Sequence, residues 1–291
     1  MNKVRAAFLA IGVSIFLVIF QVIVGLKTNS ISIISDAMHS TMDVFASTIT
    51  LIAIHFAKKP ADKCHNYGHG KYEDLAAAIQ SVLIFIVSIT IITQAVLRIY
   101  HRSLITETLP GIIMMIVSIT LHGAAVLVML KVAKKEKSTA LKANALHLLT
   151  DVITSIGVIV GLIFIRFTGL RLIDPIVAIV VALIIIKTGY DIGKESISQL
   201  LDRSLSQEDI DKIKGIIDSY SPPALDYHHL RSRKVGIIRQ VDLHLIFPDD
   251  FSLTEAHDIS SAIERDIHNT ISDIRTTIHL EPKTHKHPYK W

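Results

Sequence analysis

Apolar residues run in six long stretches through the first two thirds of the chain, at about 6–26, 31–57, 74–97, 109–130, 141–165 and 173–189. Each is close to the ~20 residues that carry an α-helix across a bilayer core, so six membrane-spanning helices are predicted within residues 1–190. Beyond residue 190 charges recur every few residues and no run is long enough to span. Residues 191–204 therefore read as a linker and 205–291 as a small soluble domain. Within that domain Ile210, Ile213, Ile216 and Ile217 form a helical stripe in Gln207–Asp218. A short strand is predicted at 225–233. At 238–247 the pattern alternates, with Val241, Leu243 and Leu245 on one face and Gln240, Asp242 and His244 on the other. A helix at 252–268 opens with the capping-box pair Ser252 and Glu255. At 274–281 Ile274, Thr276, Ile278 and Leu280 again alternate with Thr277, His279 and Glu281. The order is αββαβ, a small α+β unit of helices packed on a sheet.

Composition supports the membrane reading. Half of the 291 residues are hydrophobic and 19% are charged, and the mean hydropathy of +0.47 is too apolar for a disordered or ordinary soluble chain. With 30 Lys+Arg against 26 Asp+Glu, the net charge of +4 gives no ground for a nucleic-acid partner. The first run follows Lys3 and Arg5 as a signal peptide would, but it is long and no small-residue cleavage pattern precedes the second run, so it reads as a retained helix. With the N-terminus inside, Lys3, Arg5, Lys58, Lys59, Lys63, Lys71, Lys131, Lys134, Lys135, Lys137 and Lys142 fall on the inner side, against Lys27, Arg98, Arg102, Arg166 and Arg171 outside. That bias predicts cytoplasmic termini and a cytoplasmic soluble domain. Gly157 and Gly161 have the spacing that lets helices approach closely, or they pack as ordinary small residues. A single cysteine, Cys64, excludes a disulfide scaffold and a Cys-rich zinc module. Fifteen histidines are left to explain.

Four candidate ligands lie inside the predicted spans. His39 and Asp43 in the second run, and His147 and Asp151 in the fifth, are each four residues apart and so share a helix face. Ionised carboxylates in a bilayer are costly; they face the bundle interior, pair, and mark ion paths. Two imidazoles and two carboxylates suit a tetrahedral divalent cation, zinc best. The competing reading, that each pair is a self-satisfied couple, is weakened by the repetition on two separate spans. Asp36 lies a turn outward from His39, on nearly the same face, and reads as a residue at the mouth of such a site or as one that supports its ligands from behind. His122, midway along the fourth run, reads as a buried, satisfied histidine ahead of a proton relay. In the loop after the second run, Asp62, His65 and His69 are close enough to share one ion. In the soluble domain His228, His244, His257, His279 and Glu281 come from three strands and a helix and fall on the polar sides of their elements.

The paired H-x-x-x-D motifs on the second and fifth of six spans, followed by a soluble αββαβ domain, resemble the cation diffusion facilitators, a family of zinc/proton antiporters. The resemblance covers essentially the whole chain. It implies a membrane domain of six transmembrane helices joined to a ferredoxin-like, metallochaperone-like cytoplasmic domain. It also implies that His39, Asp43, His147 and Asp151 form the transport site; some bacterial members carry aspartate in place of His39, and histidine there is associated with zinc over cadmium. The D-x-x-H-x-x-x-H spacing of Asp62, His65 and His69 resembles the family's interfacial zinc site. Lys71 and Asp202 match a lysine and an aspartate that tie membrane part to soluble part. His228, His244, His257, His279 and Glu281 resemble the family's binuclear cytoplasmic zinc site, although bacterial relatives have aspartate where this chain has Glu281. Sequence does not separate His228 from His229 as the ligand. A homodimer tuned by cytosolic zinc, in a prokaryotic inner membrane, is the implied assembly.

Histidine binds metal as the neutral base and aspartate as the anion, so zinc and protons compete for the same atoms. Proton entry can therefore drive zinc export, given alternating access to a fixed site. The chain reads as a transporter rather than an enzyme. There is no H-E-x-x-H, and four intramembrane ligands would fill the position that catalysis keeps open for water. Efflux of Cd, Fe, Co, Ni or Mn, or zinc sensing without flux, are the alternatives; two imidazoles disfavour manganese. The 131–142 connection has no histidine, so it lacks the His-rich loop of many eukaryotic relatives, and His285 and His287 read as a solvated, weakly metal-binding tail.

Overall fold

The computed structural model describes residues 1–28, 31–101, 109–168 and 173–284. Six long helices come first: α1 (Lys3–Thr28), α2 (Ile31–Ala57), α3 (Lys71–His101), α4 (Leu109–Glu136), α5 (Thr139–Thr168) and α6 (Ile173–Leu200). All six contain windows long and apolar enough to cross a membrane. Then follow α7 (Gln207–Asp218), β1 (Asp226–Val235), β2 (Ile238–Phe247), α8 (Leu253–Thr270) and β3 (Ile274–Pro282), the predicted αββαβ order. His285 and His287 lie outside the described residues.

Most of the stretch expected as a linker is helix, because α6 continues to Leu200. Its charged residues Asp191, Lys194 and Glu195 are exposed, while Ile192 and Ser196 remain buried. The apolar run stops where exposed charged residues begin, not where the helix ends. Termination comes at Asp202, which adopts φ 57, a left-handed conformation that no helix continues through.

Alanines hold the bundle together at the end nearest the soluble domain. Ala6 and Ala10 of α1, Ala53 of α2, Ala76 of α3, Ala133 of α4 and Ala140 of α5 share one buried cluster, and small side chains of this kind let membrane helices approach. A close contact joins α3 and α6. A Cβ at Gly189 would lie 2.9 Å from Ile84 Cγ2, and one at Gly193 2.8 Å from Ser81 Oγ. These two glycines carry the close-approach spacing that the sequence also offered at Gly157 and Gly161. At Gly157 a Cβ would meet Val181 Cγ2 at an ordinary 3.5 Å.

In the soluble domain α7 and α8 cover one face of the sheet, with Ile213, Ile217, Ile263 and Ile267 packed on Val241, Leu243 and Leu245 of the central strand. Ser206 caps α7, and Ser252 with Glu255 forms a reciprocal capping box on α8. The strand order is β1-β2-β3, with β1 antiparallel and β3 parallel to β2.

Several contacts tie the two parts. Lys71 donates to Asp202 at 2.8 Å and to the Leu200 carbonyl at 3.1 Å, and Arg233 reaches the other Asp202 oxygen at 3.2 Å. Lys137, in the turn between α4 and α5, donates to Asp273 at 2.8 Å. Gly70, just before α3, presses on Gly236 of the β1–β2 turn, where a Cβ would fall 2.8 Å from the opposing Cα. The Lys71 ammonium, with Arg233 behind it, holds the Asp202 carboxyl below the usual carboxylate range. Its stabilising effect is therefore complete above the ordinary carboxylate pKa and is lost as pH falls through the lowered one. For a pair this exposed it amounts to about 1 kcal/mol or less.

Gly189→Leu is expected to force α6 off α3 and destabilise the detergent-solubilised protein by about 1–3 kcal/mol, whereas Gly157→Ala should change stability by no more than about 0.5 kcal/mol. Thermal unfolding followed by size-exclusion chromatography checks both.

Candidate functional site

α2 and α5 pack against each other within the bundle, and they bring His39, Asp43, His147 and Asp151 together. The pairing runs between helices rather than along them. His39 Nε2 lies 3.4 Å from Asp151 Oδ1, and His147 Nε2 lies 3.3 Å from Asp43 Oδ1. A tetrahedral ion with bonds of ~2.1 Å places neighbouring donors ~3.4 Å apart, the separation that both cross-helix pairs already have. Donor atoms of His39, Asp43 and Asp151 all fall within 4.8 Å of one another.

The polar accounting at this site is incomplete. Asp43 is 1% exposed and His147 2%, yet Asp43 Oδ1, Asp151 Oδ2 and both ring nitrogens of His147 have no hydrogen-bond partner among the described residues. The pair of His147 and Asp43 is near enough to attract but not aligned to bond. Buried groups left like this are costly, and a cation or protons would supply what they lack.

A cavity of about 240 Å³ meets the site, lined among others by Gln21, Asp36, His39, Asp43, His122 and Asp151. Its walls come from late α1, early α2, late α3, early α4 and the middle of α5, so it lies on the side remote from the αββαβ domain. Asp36 is at its wall, as a mouth residue would be. On the near side the bundle is shut by polar contacts that sequence reading passed over. Asn144 donates to Ser47 Oγ at 3.1 Å, and Gln80 donates to the Ala46 carbonyl at 2.7 Å and to Thr50 Oγ1 at 3.3 Å. Further inward, Glu73 of α3 takes Lys3 of α1 and Ser138 before α5, and Asp74 accepts from Thr139. Their signal was present: Ser47, Gln80 and Asn144 are polar positions inside apolar spans. His122 is buried as expected but only half satisfied. Its Nδ1 lies 3.4 Å from Ser118 Oγ, and its Nε2 has no partner among the described residues.

The loop between α2 and α3 brings Asp62, His65 and His69 together. Asp62 Oδ1 is 3.5 Å from His65 Nδ1, and Asp62 Oδ2 is 3.4 Å from His69 Nε2. His69 Nδ1 lies 3.1 Å from the Pro60 carbonyl, which only accepts, so Nδ1 carries the proton and a neutral ring turns its bare Nε2 toward the carboxylate. Two acceptors facing each other need a proton or a cation between them, and a backbone-anchored imidazole is the usual arrangement behind a metal. The backbone N–H of His65, and then that of Cys64, bind the Asp62 carboxylate and hold it below the usual range, ready as an anion. The Cys64 side chain itself is exposed.

In the soluble domain the strand register lines up His228, His244 and His279 as direct neighbours across β1, β2 and β3. Glu281 follows His279 on the same face and lies beneath the row at 5% exposure. Its carboxylate is 2.6 Å from His244 Nδ1, 3.3 Å from His228 Nε2 and 3.6 Å from His279 Nε2. A bulge after His228, with His229 at φ 54, turns both rings toward His244. His228 Nε2 lies 3.3 Å from the carboxylate, and both rings pack near His244. His257 is exposed in the first turns of α8, and no ion pair or ring contact joins it to the cluster among the described residues.

Residues 7–201 match the family described as the cation efflux transmembrane domain, and residues 205–283 match the cytoplasmic domain of cation efflux proteins. The uncharacterized transporter sll1263 of Synechocystis is 31% identical over 90% of this chain and 86% of the relative. The cation-efflux pump FieF of Shewanella oneidensis is 30% identical over 94% of this chain and 92% of the pump. The manganese efflux system protein MneS of Bacillus subtilis is 31% identical over 96% of each. With six apolar helices matching one part of these transporters and the αββαβ unit matching the other, the chain belongs to the cation diffusion facilitator family of integral membrane cation-efflux proteins.

Proposed function

We propose that the protein exports zinc from the cytoplasm in exchange for protons, by alternating access to His39, Asp43, His147 and Asp151. The observation that carries this reading is the cross-helix pairing of two imidazoles with two carboxylates, of which Asp43, His147 and Asp151 are buried with unmet bonding capacity and His39 is exposed, at the edge of a cavity. Between His39 and Asp151 the same nitrogen and oxygen either share a proton or coordinate a metal, so arrival of one expels the other. With the soluble domain on the cytoplasmic side, as the lysine distribution supports, this conformation faces outward. The inward-facing state then requires the contacts of Asn144 with Ser47 and of Gln80 with α2 to part.

The sites of Asp62, His65 and His69, and of His228, His244, His279 and Glu281, are proposed as static zinc sites, with His257 a candidate ligand from α8. The family matched by residues 205–283 carries the label ZT_dimer, which supports a homodimer joined through this domain. Manganese is the rival cargo, because MneS is a manganese efflux system protein. The donor set favours zinc, since two of four ligands are imidazoles and manganese prefers oxygen.

Purified protein in liposomes with a pH gradient should move zinc with counter-moving protons, and Asp151→Ala should abolish that flux; equal flux in both proteins would place the pathway elsewhere. His39→Asp, which leaves one imidazole among three carboxylates, should raise the ratio of manganese to zinc transport several-fold. Acidifying the compartment that the site faces should weaken zinc binding there, read as a rise in half-saturating concentration as pH falls. Zinc at 100 times its dissociation constant should stabilise the soluble domain of the full chain by about 2.7 kcal/mol, and His244→Ala should remove most of that gain in a thermal melt.

A further inference from the structure

We propose that His122 of α4 is a cation ligand, a further station beside the four-residue site on the open side of the bundle. The proposal deepens the transport reading and rests on it. His122 is 1% exposed. Its Nδ1 is occupied by Ser118 one turn back on the same helix, at 3.4 Å, and its Nε2 is buried with no hydrogen-bond partner among the described residues. The ring forms part of the wall of the same cavity as His39, Asp43 and Asp151. Asp151 Oδ2 is likewise buried without a partner. An imidazole kept only for packing has no use for a bare nitrogen, because an apolar ring of the same shape fills the space without that desolvation cost. In the tautomer whose Nδ1–H donates to Ser118 Oγ, Nε2 presents a lone pair, the form in which histidine takes a metal.

The chemistry names the ligand as a divalent cation of borderline softness, of which zinc is the best match. Multiple adjacent sites are how a pathway combines binding with release, and a further ligand beside two imidazoles and two carboxylates eases the departure of an ion that protons displace. Nε2 of His122, with the unbonded oxygen of Asp151, offers the departing ion a new ligand before the old ones are given up. The α4 helix thereby takes part in a site otherwise built from α2 and α5.

The test is zinc flux against zinc concentration in proteoliposomes for wild type, His122→Phe and His122→Cys. A ligand role lowers the maximal rate of His122→Phe by about tenfold or more with little change in half-saturation, and cysteine, which also ligates zinc, restores most of it. Wild-type kinetics in His122→Phe would overturn the station and leave the four-residue site standing. Equal impairment of the phenylalanine and cysteine variants would overturn it in favour of a packing role. Wild-type protein that moves no zinc at all would overturn the antiport reading and the station with it.

Discussion

Two carboxylates buried among membrane helices have to be neutralised, and the architecture around α2 and α5 answers that requirement. A charge at bilayer depth costs several kcal/mol unless something of opposite sign comes close. Here each aspartate meets a histidine from the facing helix, Asp151 with His39 and Asp43 with His147. Neither pair is complete, because Asp43 Oδ1 and Asp151 Oδ2 stay unbonded. A site fully satisfied by its own residues would have no reason to take up a cation. One left short by a few bonds has capacity for an ion or for protons, which is what the proposed exchange requires.

The rest of the molecule fits around that site. The polar contacts of Ser47, Gln80 and Asn144 close the bundle toward the soluble domain, and the cavity beside His39 opens it on the other side. Gly70 and Gly236 bring the end of the histidine loop against the β1–β2 turn, while Lys71 and Lys137 anchor two helix ends to Asp202 and Asp273. A cation at Asp62, His65 and His69 would sit close to this junction. Loop and sheet are thus mechanically adjacent, although their histidines form separate clusters.

Much of this was legible in the residues, and the exceptions have physical causes. Long apolar runs define spans because the bilayer leaves a helix no alternative, and the alternation in β2 predicted the burial of Val241, Leu243 and Leu245. The extent of α6 was hidden because solvent-facing Asp191, Lys194 and Glu195 dilute an apolar average while Ile192 stays inside. Gly189 and Gly193 were missed for the same reason, since they lie at and beyond the end of the run. Spacing placed His39 beside Asp43 and His147 beside Asp151, but only packing reveals that the partners are exchanged between helices. Glu281 departs from its strand's alternation because three histidines cover it, a consequence of register that a single strand cannot show.

X-ray absorption at the zinc edge addresses the intramembrane site most directly, using full-length protein whose loop and soluble-domain ligands have been replaced. The account predicts one bound zinc with two imidazoles and two carboxylate oxygens at about 2.0–2.2 Å, and its loss in Asp43→Asn. Zinc coordinated only by oxygen, or binding unaffected by Asp43→Asn, would contradict it.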